Sequence, residues 1–211
     1  MKERGILFSP PMVEGIIADR KTKTRRLVKG DTAKWSAIEQ SDRYPGEWVG
    51  WRDGELMASI FCPYGVPGDR LWLRERWQTD VEDAGTTPRD IEQGRPIFYI
   101  GGSSKNAGTM AVCAGGWRPG IHMPRWASRL TLEVVDVRVE RLGDVDDAEA
   151  IAEGVTRMPD HRTELWGVPG LPEICRPTPR LAFTSLWKSI HDQRFPWDAW
   201  VWVVTFRKVQ P

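Results

Sequence analysis

Cross-linking chemistry is nearly absent from this chain. Among its 211 residues are three cysteines, Cys62, Cys113 and Cys175, an odd number at wide spacing. That pattern fits neither a disulfide framework nor a zinc ligand set and is expected of structural thiols in a reducing compartment. Histidine is equally scarce, at three residues. The acidic run DVDD (144–147) lacks the glycine and distant glutamate of a calcium loop. No metal and no cofactor are therefore expected. No apolar run approaches membrane-span length, and the opening MKERGILFSPP lacks the apolar stretch of a secretory signal. A cytoplasmic protein with no membrane partner is expected. Net charge is missing too: 30 basic residues face 29 acidic ones. That excludes a globally basic nucleic-acid coat and leaves polyanion contact to a local patch. No Pro/Ser-rich linker and no internal repeat divides the chain, so residues 1–211 read as a single domain.

One local patch stands out against that balance. RKTKTRR at 20–26 places five cations in seven positions, interleaved with two threonines. It follows SPPMVEGIIADR, in which Ser9 can cap a helix that starts on prolines, where a missing N–H costs nothing. Val13, Ile16 and Ile17 then form an apolar stripe. The helix is expected to end near Asp19 and to project the cations as a loop or the start of a strand. A cation cluster in that place also reads simply as a solvated face that complements the helix dipole.

Elsewhere the pattern alternates between elements and loops. GILFS (5–9) suits a buried strand, and GDRLWLRERW (68–77) reads as a turn followed by a strand with Leu71 and Leu73 inward. RLTLEVVDVRVERL (129–142) is the clearest strand. Its apolar phase shifts after Val134, as a β-bulge or sharp bend would require. DDAEAIAEGV reads as a short acidic helix capped by Asp146 and ending at Glu153, with Gly154 at C′. TPRLAFTSLWKSI (178–190) predicts a helix capped by Thr178, with Phe183, Leu186, Trp187 and Ile190 on one face. WVWVVTF (200–206), apolar on both faces, suits a central strand. Two stretches, about 78–125 and 156–177, are rich in glycine, proline and polar residues and read as long loop insertions, with PIFYI as a lone strand in the first. The order argues for an α+β fold around a small curved sheet or barrel.

Taken in order, ILFSPPMVEGIIADRKTKTRR, PGDRLWLRERW, PGIHMPRWASRLTLEVVDVRVERL, DAEAIAEGV and WVWVVTF resemble an ASCH-domain protein of the type found in bacteriophages and prophages. The resemblance implies a PUA-like β-barrel, a fold shared with readers of RNA and of modified bases. It also implies a site, because the family includes small amidohydrolases that remove the acetyl group of N4-acetylcytidine with the lysine and threonine of a K-T-x-T segment and a later glutamate. Those positions are matched here by Lys21, Thr24 and Glu153. This chain is considerably longer than those enzymes, and its extra loops are expected to narrow, cover or replace the pocket.

Amide hydrolysis needs a nucleophile, a proton acceptor and oxyanion stabilisation. Thr24 can supply a hydroxyl. Lys21 can act as a base if desolvated or as a fixed positive charge if not. Glu153, at a helix C-terminus, can serve as general acid/base or hydrogen-bond a cytosine-like edge. Arg20, Lys23, Arg25 and Arg26 are the candidate phosphate contacts. In the 117–126 loop, Trp117 and Trp126 are candidates for base stacking, His122 for catalysis, and Arg118 and Arg125 for phosphate binding. The expected ligand is RNA, single-stranded nucleic acid or a modified nucleoside, in a pocket between 21–26, 117–126 and the end of the 146–153 helix. A non-catalytic RNA or modified-DNA reader, a metal-independent ribonuclease and a protein-binding accessory factor remain alternatives.

Overall fold

The computed structural model of the chain describes residues 1–108, 113, 116–159, 164–191 and 196–209. Strand β1 (Glu3–Leu7) leads into helix α1 (Pro10–Ile17) and then strand β2 (Lys23–Leu27). Next come β3 (Ala37–Gln40), β4 (Glu47–Arg52), β5 (Glu55–Phe61) and β6 (Arg70–Arg74). The short strands β7 (Trp77–Thr79), β8 (Ile97–Tyr99) and β9 (Ser104–Lys105) precede the long β10 (Thr131–Arg141). Helix α2 (Asp147–Ala152), strands β11 (Thr156–Arg157), β12 (Trp166–Val168) and β13 (Leu171–Arg176), helix α3 (Pro179–His191) and strand β14 (Trp200–Lys208) complete the order. No helix among the described residues is long and apolar enough to cross a membrane.

The fold is α+β. Its principal sheet has the order β1-β6-β10-β14-β2, with β1 and β6 parallel and the other neighbours antiparallel. β14 lies between β10 and β2, as its two-faced sequence requires, and Val201, Trp202, Val203, Val204 and Phe206 are all buried. Leu71 and Leu73 of β6 are fully buried, each contributing roughly 1.5–3 kcal/mol by leaving water. The bulge expected in the long strand is present between Val134 and Asp136. It turns Val135 out to solvent, 47% exposed, while Val137 and Val139 return to pack on the core. The register therefore survives the phase change at the cost of one outward valine.

A closed barrel does not appear among the described strands: β1 and β2 remain the two edges of the sheet. The gap between them is spanned by a side chain rather than a ladder, with Arg26 Nη2 donating to the Leu7 carbonyl at 2.6 Å. The two expected loop insertions also differ from expectation. In the first, β7, β8 and β9 form a three-stranded sheet over its own core of Trp77, Ile91, Ile97, Tyr99, Met123 and Ala127. In the second, β11, β12 and β13 form another, with Val168 and Ile174 buried. Strands of two or three residues carry no readable alternation, and cross-strand partners alone define them. A third small sheet, β3-β4-β5, sets Trp48 edge-on to Trp202 at 5.8 Å.

Helix ends set the path of the chain around this sheet. Ser9 holds the N-cap position of α1 through its carbonyl, which accepts from the Met12 and Val13 amides, and its side chain makes no cap bond. Two residues past the helix, Asp19 adopts a left-handed φ of 56°. The Arg20 and Lys21 amides then both bond the Gly15 carbonyl. Asp146 caps α2 by accepting from the Glu149 amide at 2.7 Å. Thr178 caps α3 by accepting from the Leu181 amide.

Candidate functional site

The chain reversal after α1 brings Lys21 against the end of α2. The two backbones meet in an isolated antiparallel bridge between Lys21 and Glu153, and the Thr22 amide donates to the Ala152 carbonyl at 2.9 Å. Such close approach depends on Gly154, which has a φ of +102° and lies so near that an added Cβ would sit 3.3 Å from the Lys21 Cβ. A side chain there would be strained by the backbone and crowded by the lysine.

Lys21 and Glu153 form an ion pair of 2.6 Å with side chains only 2% and 5% exposed. The ammonium also donates to the Lys23 and Glu153 carbonyls, each at 2.8 Å, so its three N–H groups are all engaged. Burial pushes the Lys21 pKa below its ordinary value, and the Glu153 charge only partly restores it. The other Glu153 oxygen faces Arg25 Nη1 at 3.4 Å. The carboxylate's neighbours are thus two cations, not the end of a helix alone.

Thr24 sits on β2 opposite Val204 of β14 and is buried. Its hydroxyl has no hydrogen-bond partner among the described residues, and it lines the same cavity as Lys21 and Glu153. That cavity has a volume of about 520 Å³, within the ~300–1,000 Å³ typical of small-ligand sites. It lies in the gap between the edges of the principal sheet, with Leu7 and Phe8 on one side, β2 on another and α3 across from them. Phe183, Trp187 and Trp117 give it an aromatic lining. The amine, the hydroxyl and the carboxylate therefore converge on one hollow.

The cations of the 20–26 segment divide by partner. Lys23 reaches Glu149 at 2.5 Å. Arg25, with its side chain fully buried, contacts Glu140, Glu149 and Glu153. Burial works against the Arg25 charge, but Glu153 and Glu140 outweigh it and raise its pKa. Burial likewise opposes the Glu149 charge, and hydrogen bonds from Lys23 and Arg25 with the nearby Arg138 override it and hold the carboxyl down at about 2. Lys23 and Arg25, expected as phosphate contacts, are both paired with carboxylates in this structure. Arg20 is exposed and does not line the cavity. Arg26 alone of the arginines in this segment reaches the cavity without a carboxylate partner among the described residues, its guanidinium lying over the Phe8 ring at 5.1 Å from the centroid.

The 117–126 segment contributes less than expected. Trp117 lines the cavity and is 39% exposed. Arg118 does not: it donates to the carbonyls of Asp83, Ala84 and Thr86 and packs over Trp77. Arg125 pairs with Glu3 on the surface, and Trp126 packs on the core of the β7-β8-β9 sheet. His122 lines a separate hollow with Thr87, Pro88, Arg89 and Pro124, away from Lys21 and Thr24. A ribonuclease using His122 together with those two residues is not supported by this arrangement.

Several cavity residues carried no local signal. Phe183 and Trp187 read as apolar stripe residues of α3 and are buried, and Phe8, expected at the end of a buried strand, lies just past β1; each has a rim on the hollow. Ile190, expected on the buried face of α3, is 59% exposed and lines the cavity, as does His191, stacked on Trp187 with ring centroids 4.2 Å apart. Arg76, within LRERW, is an exposed cavity cation with no ion pair among the described residues. No group of three or more His, Cys, Asp or Glu side chains among the described residues could hold a metal. Comparison with protein-family models, with curated proteins and with solved structures finds no significant match.

Proposed function

We propose that the chain is an ASCH-type, PUA-like domain whose cavity accepts a modified pyrimidine and hydrolyses an N4-acyl amide upon it. The observation that carries this reading is the convergence of Lys21, Thr24 and Glu153 on one aromatic-lined hollow, with the Thr24 hydroxyl left for a ligand. The aromatic lining suits the face of a base, and the three polar groups suit its acylated edge.

In this reading the Thr24 oxygen attacks the amide carbonyl carbon and its proton passes to Glu153. As the carboxylate is neutralised, its hold on Lys21 weakens, and the ammonium turns an N–H toward the oxyanion. The C–N bond then breaks, and the exocyclic N4 amine of the base departs with the proton from Glu153. Water attacks the Thr24 ester with the same carboxylate as base, releasing the acid and restoring the hydroxyl.

A non-catalytic base reader is the second reading. It is favoured by the complete engagement of the Lys21 N–H groups within the protein. Incubation with N4-acetylcytidine separates the two. Hydrolysis predicts release of cytidine that is lost in Thr24→Ala and Lys21→Ala variants whose circular dichroism is unchanged. Release that persists in both variants excludes this site, and binding without release leaves the reader.

A further inference from the structure

Rest-state charge around the cavity does not balance. Four cations line it, Lys21, Arg25, Arg26 and Arg76, against Glu153 as the single carboxylate among the described lining residues. Lys21 is matched by Glu153. Arg25 is matched by Glu140 and Glu149 from behind the wall. Arg26 and Arg76 have no carboxylate within ion-pair distance among the described residues.

Arg26 is held rather than loose. Nη2 is fixed to the Leu7 carbonyl, the Phe8 ring supports the guanidinium plane, and Nε is buried without a hydrogen-bond partner. That buried N–H and the Nη2 bond set the side chain in one place, so the guanidinium is a fixed rather than a mobile charge. Arg26 is also near enough to act with burial in lowering the His191 pKa, and His191 lines the same hollow. Arg76, on the segment after β6, adds a second guanidinium from a different part of the chain.

We infer that Arg26 and Arg76 form an anion seat at the cavity, and that the ligand is a pyrimidine nucleotide with a terminal phosphate rather than a free nucleoside. This rests on the base-binding reading and adds to it the phosphorylation state of the ligand. Two uncompensated guanidinium groups match a phosphomonoester, which carries about −1.5 to −2 at neutral pH. An internal phosphodiester of a nucleic-acid strand brings one negative charge and leaves one arginine unmatched.

Calorimetric titration of the full chain with cytidine, cytidine 5′-monophosphate, cytidine 3′-monophosphate, the dinucleoside monophosphate CpA and ribose 5-phosphate tests the seat. One of the two monophosphates should bind at least about tenfold more tightly than cytidine, as expected for charge-assisted hydrogen bonds. Added salt should erode the difference. Arg76→Gln, at an exposed position, should remove most of that preference while leaving cytidine affinity unchanged. Arg26→Lys, which keeps the charge but loses the fork, should reduce it in part.

Equal affinity for cytidine and both monophosphates would overturn the seat and leave the base reading intact. CpA binding as tightly as the better monophosphate would overturn the terminal-phosphate assignment. Ribose 5-phosphate binding as tightly as that monophosphate would keep the seat but remove the base reading on which the nucleotide assignment depends. No binding by any probe would overturn both, whereas an Arg76→Gln variant that weakens cytidine and the monophosphates alike would overturn the seat alone.

Discussion

Residues 20–26 and 117–126 look alike as strings. Each mixes arginine with residues suited to nucleic-acid contact, and each follows or sits among prolines and glycines. In the structure they serve opposite purposes. The first is drawn between α2 and β14 by backbone pairing at Lys21 and along β2, so Lys21, Lys23, Thr24, Arg25 and Arg26 go into a carboxylate cluster or to the cavity, while Arg20 and Thr22 stay exposed. The second is tied by its backbone to Trp77 and spends its arginines on loop carbonyls and a surface glutamate. Composition shows that a segment is basic, whereas its partners decide whether that charge is spent within the protein or offered to a ligand.

Substitutions across the two segments should separate these roles. The largest effect is expected at Thr24, where Thr24→Val should lower hydrolysis by at least about 10²-fold with little change in cytidine binding. A fall in stability large enough to explain the loss would remove the catalytic assignment. Glu153→Ala leaves Lys21 and Arg25 buried without a shared carboxylate. It should cost about 3–5 kcal/mol in denaturant unfolding, and a cost under about 1 kcal/mol would show that the pair is solvated.

Acid should act on the carboxylate cluster next. The Glu149 carboxyl is held at about 2 against an ordinary 4.5. Its folded pKa is the lower one, so its stabilising contribution is present above about 4.5 and is lost as the pH falls through about 2. A Glu149→Gln variant should therefore be less stable than wild type at neutral pH and approach it across that window. Parallel acid-unfolding curves would contradict the cluster.

In the second segment, Arg118→Ala should destabilise the β7-β8-β9 region by on the order of 1–3 kcal/mol without altering ligand affinity. Smallest of all, Arg125→Ala should shift stability by less than about 1 kcal/mol and leave hydrolysis untouched. Loss of ligand binding in either variant would return the 117–126 arginines to the site.

Much of the principal framework was legible. The prolines after Ser9, the phase shift at Val134, Gly154 after a short acidic helix and the two-faced WVWVVTF each follow from local sterics or periodicity and lie where those rules put them; of the α1 stripe, Val13 and Ile16 are buried and Ile17 is 41% exposed. Of the small sheets, PIFYI was legible as a strand and contains β8. Their association was not: β7, β9, β11 and β12 are too short to alternate, and a residue such as Tyr99 becomes core only when Trp77 and Met123 meet it from distant positions. The site was legible in part: Lys21, Thr24 and Glu153 do meet, but Arg76 and His191 join them from segments whose sequence carries no sign of it.

The sequence by itself determined which residues can be helix, strand or turn, because those limits act over a few bonds and a few side-chain diameters. Tertiary structure decided which cations remain uncompensated. Charge pairing depends on distance through space, and Glu140, Glu149 and Glu153, more than a hundred positions away, reach Arg25 but not Arg26.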